Sequence, residues 1–228
     1  MSHRLAVLIS GSGTNLQAII DAIQSGRLEA EVALVLSNST TAPGLQRAIR
    51  AGIPTLTLDH RDYPDRLSFD QAMIAELDRF QPDTVVLAGF MRILSAEFVR
   101  HYHGRLINIH PSLLPRHKGL HTHRRALEAG DREHGCTVHF VTEELDGGPA
   151  IARARVPVLA NDDEELLSKR VQAREHDLYP RVLGWRASGR LTLGPQGVLL
   201  DGNAIATEGL DIDQLPVGTT AVTGRAAD

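Results

Sequence analysis

The sequence predicts an α/β fold, a mostly parallel sheet flanked by helices on both faces with an antiparallel hairpin in the C-terminal half. Two observations carry that expectation. The first half repeats unbroken apolar runs of strand length, each followed by a helical pattern. The second half changes to two strand-like runs joined by an acidic, glycine-rich turn, followed by one long helical stretch.

"RLAVLIS" (4–10) is apolar throughout, as a strand buried on both faces must be. "TNLQAIIDAIQSG" then places Leu16, Ile19, Ile20 and Ile23 at helical spacing and stops at Gly26. "EVALVLSN" (31–38) predicts a second strand, "APGLQRAIRAG" (42–52) a short helix and "PTLTL" (54–58) a third strand. Residues 63–80 read as a helix with Leu67, Ile74, Leu77 and Phe80 on or near one face. Strands at 83–90 and 104–110 flank a helix at 95–102. Cys136–Val141 and Ala150–Val158 form the expected hairpin. A helix from Asp163 to Ser188 carries Leu166, Leu167, Val171, Leu178, Val182 and Leu183 as its inner stripe. "RLTLG" and "GVLLDG" suggest a small terminal hairpin, and "VGTTAVTGRAAD" a frayed end. The pattern is that of a single Rossmann-like domain.

Composition narrows the function. The chain has 228 residues, 42% hydrophobic and 23% charged, as an ordinary soluble protein does. A net charge of −4 gives no global reason to expect nucleic acid. The single cysteine, Cys136, cannot close an internal disulfide and suits a reducing compartment. The apolar run near the N-terminus, Leu5 to Ile9, is too short for a signal or a membrane span. A cytoplasmic protein without membrane or nucleic-acid partners is expected.

Three segments hold polar residues where strands end. "ISGSGTNLQ" (9–17) is a strand, a glycine turn and a helix start, whose free N–H groups suit an anion. No Lys follows as a Walker loop requires, and Leu16 stands where a dinucleotide fingerprint has its third Gly. The turn therefore fits one phosphate better than a pyrophosphate, unless it is simply a strand–helix turn. In "INIHPSLLP", Asn108 and His110 lie two apart at a strand end, so both side chains point one way. An amide donor and an imidazole suit a developing oxyanion; read alone, they are equally a turn former and a loop histidine. In "TEELDGGP", Asp146 precedes Gly147 and Gly148, a turn that can present a carboxylate or merely close a hairpin. A carboxylate beside His110 would favour its charged, acid form. His117, His121 and His123 have no paired Cys and no H-E-x-x-H spacing, so no metal is expected.

These segments, with "VVLAGFMRILS", "GLHTHRRALEAGDREHGCTVHFVTEELDGGPAI" and "RVQAREHDLYP", resemble the folate-dependent formyltransferases, in particular those acting on glycinamide ribonucleotide. The resemblance runs from about Arg4 to about Leu193. It implies a formyltransferase domain over 1–193, with a phosphate-binding half to about 103 and a catalytic, folate-binding half from 104, and a 194–228 extension of unassigned function. It implies transfer of formyl from 10-formyltetrahydrofolate, a co-substrate, to the glycinamide amine in purine (IMP) biosynthesis.

Carried over to matching positions, Asn108 holds the oxyanion, protonated His110 stabilises it and Asp146 keeps His110 charged. Gly13, Thr14, Asn15 and Glu175 match contacts to the ribonucleotide. Arg66, Met91, Arg92, Ile93, Leu94, Thr142, Glu143, Glu144 and Leu145, with Asn108 and Asp146, match the folate pocket. The chain departs from the family at Arg116-His117-Lys118-Gly119, where an aromatic commonly follows the basic residue. The resemblance leaves a monomer or a homodimer open. A formyltetrahydrofolate hydrolase is the alternative, but a sheet that begins at Arg4 leaves no room for the regulatory domain that family carries. A methionyl-tRNA formyltransferase would have a different first loop and a tRNA-binding domain. A non-catalytic binder would lack one of the three catalytic positions.

Overall fold

The computed structural model describes residues 2–214. Strand β1 (His3–Ile9) leads through the glycine turn to helix α1 (Thr14–Gln24), followed by β2 (Ala30–Ser37), α2 (Gly44–Arg50) and β3 (Thr55–Thr57). The chain continues through α3 (Arg66–Arg79), β4 (Thr84–Leu87), α4 (Ala96–His101) and β5 (Leu106–His110). After α5 (Thr122–Glu128) come β6 (Glu133–Phe140), β7 (Ala150–Pro157) and the long α6 (Glu164–Ala187). Four short strands end the described chain: β8 (Leu191–Gly194), β9 (Gly197–Leu200), β10 (Asn203–Ala204) and β11 (Leu210–Asp211).

The main sheet has eight strands in the order β11-β7-β6-β5-β4-β1-β2-β3. Strands β5, β4, β1, β2 and β3 run parallel to one another, and β6 is antiparallel to both of its neighbours, β5 and β7. The apolar runs are explained by burial on both faces. Leu5, Val7 and Ile9 of β1 pack with α1 and α6, while Ala6 and Leu8 pack with Phe69, Met73 and Phe98 of α3 and α4. Strands β8, β9 and β10 make a separate antiparallel sheet, which realises the expected terminal hairpin.

Local chemistry sets the helix ends. The Asp65 side chain accepts from Ser68 N at 2.8 Å to start α3, and Asp163 accepts from Leu166 N at 2.8 Å to start α6. Ser95 caps α4 in the same way. Pro180 lies inside α6, where it leaves the His176 carbonyl without its helical donor.

Several expectations need correction. Leu166 is 48% exposed and Leu67 is 44% exposed, so neither belongs to an inner stripe. His123, expected in a loop, lies in helix α5, and His121 is that helix's N-cap in a left-handed conformation at φ 57°. Strand β6 starts at Glu133, three residues before the expected Cys136. Strand β11 was not foreseen; it joins the main sheet by pairing Leu210 with Ala152 and Asp211 with Arg153 of β7. The stretch expected to fray, 217–228, lies outside the described residues.

One buried tie fixes the sheet where β4 and β5 end. Tyr179 of α6 is fully buried, and its hydroxyl lies 2.9 Å from the Leu87 carbonyl and 3.0 Å from the Ile107 carbonyl. Tyr179→Phe leaves both carbonyls short of a donor, so it should lower the unfolding free energy by about 1–2 kcal/mol. Urea unfolding measures this; an unchanged midpoint and slope would show that the tie contributes nothing.

Candidate active site

Strands β1 and β4 lie side by side, but the chain leaves β1 toward β2 and leaves β4 toward β5. Such a divergence opens a crevice at the carboxyl ends of the strands. Ser10 sits at its base and links three strand ends. Its hydroxyl donates to Asn38 Oδ1 at 2.6 Å and accepts from Met91 N at 2.7 Å. Asn38, just after β2, thus holds the turn.

Gly13 is the N-cap of α1 at φ 69°, and no side chain caps that end. Its glycine is required twice, because a Cβ there would also lie 2.7 Å from Gly44 Cα. The first N–H groups of α1 are therefore bare and turned toward the cleft, as an anion needs. The cleft holds about 320 Å³ and is lined by residues 10–15, Gly89, Met91, Ile109, Pro111, His123, Gln172 and Glu175, among others.

Glu175 is the buried acid of this half. It is 8% exposed, and its Oε2 accepts from Asn15 Nδ2 at 2.9 Å. Burial pushes its carboxyl up to about 7 from 4.5, the Asn15 hydrogen bond opposing the rise. Asn15 Oδ1 is buried with no partner among the described residues. Gln172 Nε2 donates to Thr14 Oγ1 at 3.2 Å, which ties α6 to the start of α1.

Asn108 and His110 point to the other face of β5, since they alternate with Ile109, and Asp146 from the β6–β7 turn meets His110 there. His110 is buried, with Nδ1 3.5 Å from Asp146 Oδ2 and Nε2 3.0 Å from the His117 carbonyl. Both ring nitrogens thus face acceptors, a pattern that a doubly protonated ring satisfies. Asp146 has φ 47° and also accepts from Gly119 N at 2.8 Å. The turn around it is sterically committed: a Cβ on Gly148 would lie 1.8 Å from the Phe140 carbonyl oxygen, and one on Gly147 2.3 Å from Glu144 Cδ. The two faces meet around the end of β5, where Pro111 lines the cleft directly after His110.

The positions matched to a folate pocket lie in different settings. Met91 and Ile93 are 66% and 60% exposed, and Leu145 is also exposed. Leu94 is half-buried against the core beneath α3 and α4. Arg66 and Arg92 both lie near Asp70, whose carboxyl is raised by burial although it accepts from Ser95 N at 2.5 Å. Thr142 Oγ1 reaches the Glu144 carbonyl at 3.5 Å. The acidic side chains point to partners of their own, Glu143 to Arg100 and Glu144 to Lys118, each at 2.7 Å.

The segment 112–123 is held over the site by histidines. His117 Nε2 lies 2.7 Å from Asp131 Oδ2. His123 Nδ1 lies 3.1 Å from His134 Nε2, and burial pushes His134 down to about 4. Among the described residues, no three His, Cys, Asp or Glu come together as a metal site. No described helix is long and apolar enough to cross a membrane.

Sequence reasoning passed over His139. It lies inside an apolar strand, 1% exposed, with Nε2 3.1 Å from Asn108 Nδ2 and 3.8 Å from Asp146 Oδ1. The only signal available was its place in "TVHFV", a polar residue among apolar ones.

An open sheet with its cleft at the strand ends is an α/β architecture of the switch-point class, which binds its ligand in that crevice. The chain belongs to the formyl transferase family, whose model matches residues 3–183. It is 54% identical over 210 residues to phosphoribosylglycinamide formyltransferase of Escherichia coli, covering 92% of this chain and 99% of that one. It is 48% identical over 194 residues to the human trifunctional purine biosynthetic protein adenosine-3, covering 85% of this chain and 19% of that protein. The solved structure of phosphoribosylglycinamide formyltransferase from Coxiella burnetii superimposes with a TM-score of 0.90 at 50% identity, covering 92% of this chain and 99% of that one. These relatives do not favour the hydrolase alternative.

The Glu175 shift has a measurable consequence. Its folded-state value is raised above its unfolded value, so its contribution to stability is fully present below pH 4.5 and is lost as pH rises through about 7. Between pH 4.5 and 8 the wild type should lose on the order of 3 kcal/mol more stability than Glu175→Gln. Urea unfolding of both proteins at the two pH values tests this; parallel losses would place Glu175 in a solvated site.

Proposed function

We propose that the chain transfers the formyl group of 10-formyltetrahydrofolate to the amine of glycinamide ribonucleotide, in purine biosynthesis. The observation that carries the reading is one site with two unlike ends. An uncapped glycine turn suited to a phosphate lies across β5 from a half-buried Asn108, a buried His110 and Asp146. The near full-length similarity to a bacterial phosphoribosylglycinamide formyltransferase supports it.

In this reading the phosphate binds at Gly13, Thr14 and Asn15, and Glu175 meets the glycinamide end. Met91, Arg92, Ile93 and Leu94, with Thr142, Glu143, Glu144 and Leu145, wall the folate, and Arg66 lies toward its glutamate tail. The amine nitrogen attacks the formyl carbon, forming the new C–N bond and placing negative charge on the formyl oxygen. An Asn108 N–H and the His110 cation stabilise that charge as it develops. His110 Nε2 now serves the His117 carbonyl. A formyl oxygen offers the same kind of acceptor, so loading the donor exchanges one carbonyl for another. The bond from carbon to the folate nitrogen then breaks, and that nitrogen takes up the proton the amine has lost. Asp146 holds the charged ring in place and, through water, passes the proton. Proximity and fixed dipoles supply the rate without a covalent enzyme intermediate.

Mixing the protein with 10-formyltetrahydrofolate should release tetrahydrofolate only when glycinamide ribonucleotide is present. Release without the acceptor would indicate a hydrolase, and no release in either case would sink the enzyme reading. His110→Ala and Asp146→Asn should each cut turnover by about 10²-fold or more while binding of the ribonucleotide persists. Near-normal turnover in either variant would remove that residue from the mechanism.

A further inference from the structure

The buried His139 has a hydrogen-bond pattern that admits one assignment. Its Nδ1 lies 2.9 Å from the carbonyl oxygen of Phe140. A carbonyl can only accept, so Nδ1 carries the hydrogen. The ring is almost wholly enclosed, and loss of water lowers its basicity against the opposing Phe140 carbonyl and Asp146 carboxylate, which favours the neutral ring. A neutral ring protonated at Nδ1 has a bare lone pair at Nε2. The group 3.1 Å from that lone pair must donate, and on Asn108 only the amide nitrogen does. The orientation of an asparagine amide, ordinarily ambiguous, is thereby decided by a backbone carbonyl two bonds of the relay away.

We propose that His139 is a positioning residue: its Nδ1–H tautomer, set by the Phe140 carbonyl, holds the Asn108 amide nitrogen-first and leaves the second N–H for the reacting carbonyl. The inference rests on the oxyanion-binding role given to Asn108 above. The opposite tautomer would put an N–H at Nε2, where it would turn Asn108 oxygen-first and also face Asp146 Oδ1 at 3.8 Å. An amide turned oxygen-first would bring a lone pair toward developing negative charge. The register supports the assignment, since Asn108 and His139 are directly paired residues of β5 and β6. The pair is therefore fixed by the sheet and not by a loop.

The test is a double-mutant cycle of His139→Leu and Asn108→Ala, read as kcat and KM for both substrates. His139→Leu should lower kcat at least about tenfold and leave each KM within about twofold, because the lost interaction belongs to the transition state. In the Asn108→Ala background it should cost nothing further in kcat. The same loss in both backgrounds would overturn the positioning role and leave the Asn108 reading intact. Near-normal kcat in Asn108→Ala alone would overturn both. A measurement on the wild-type protein covers the case of a misfolded variant: imidazole ¹⁵N spectra should show His139 protonated at Nδ1 and bare at Nε2. A hydrogen on Nε2 would refute the proposal.

Discussion

The site depends on one constraint: two adjacent parallel strands, β1 and β4, send their chains in opposite directions. A parallel sheet has all its strand ends on one edge, and where neighbouring connections diverge nothing fills the gap between them. The rest follows from keeping that gap in shape. Ser10 ties the ends of β1, β2 and β4, and Tyr179 ties β4 to β5 from below. The sheet then changes from parallel to antiparallel at β6, which brings the Asp146 turn back over β5. Each functional segment lies beside that gap because the connectivity leaves it nowhere else to go.

Burial does much of the chemistry. Glu175, Asp70 and His139 are each shifted toward the neutral form by loss of water. Neutral groups keep fixed donor and acceptor roles, so they can orient a partner without introducing a competing charge. His110 is built differently, with a carboxylate on one nitrogen and a backbone carbonyl on the other. Two imidazoles one strand apart thus meet different surroundings: His110 faces two acceptors, and His139 faces one acceptor and the Asn108 amide nitrogen.

Much of this was legible in the sequence. Unbroken apolar runs such as Leu5–Ile9 marked strands buried on both faces, and Gly26 and Gly52 marked helix stops. Asn108, His110 and Asp146 are ordinary residues for a strand end and an Asp-Gly turn when read alone, and it was the order of the motifs and the family resemblance that singled them out. His139 was not singled out, since strand pairing brings it to Asn108 from 31 residues away. Helix α5 lacks a side-chain cap and starts from a left-handed His121, so no local signal announces it. Strand β11 is two residues long, too short for any period. Leu166 was misplaced because it lies about 100° around the helix from Leu167, and of the two only Leu167 faces the core.

The extension after α6 brings its own consequence. Strand β7 would otherwise be the last strand of the sheet on that side, with its outward N–H and C=O groups unpaired. Strand β11 covers Ala152 and Arg153, and Asp211 draws in Arg155, whose charge faces the same border. This border is the place where a second molecule could add a strand and begin an aggregate. Residues beyond the 3–183 family match thus extend the main sheet by one strand and pair part of an edge that β7 would otherwise leave open.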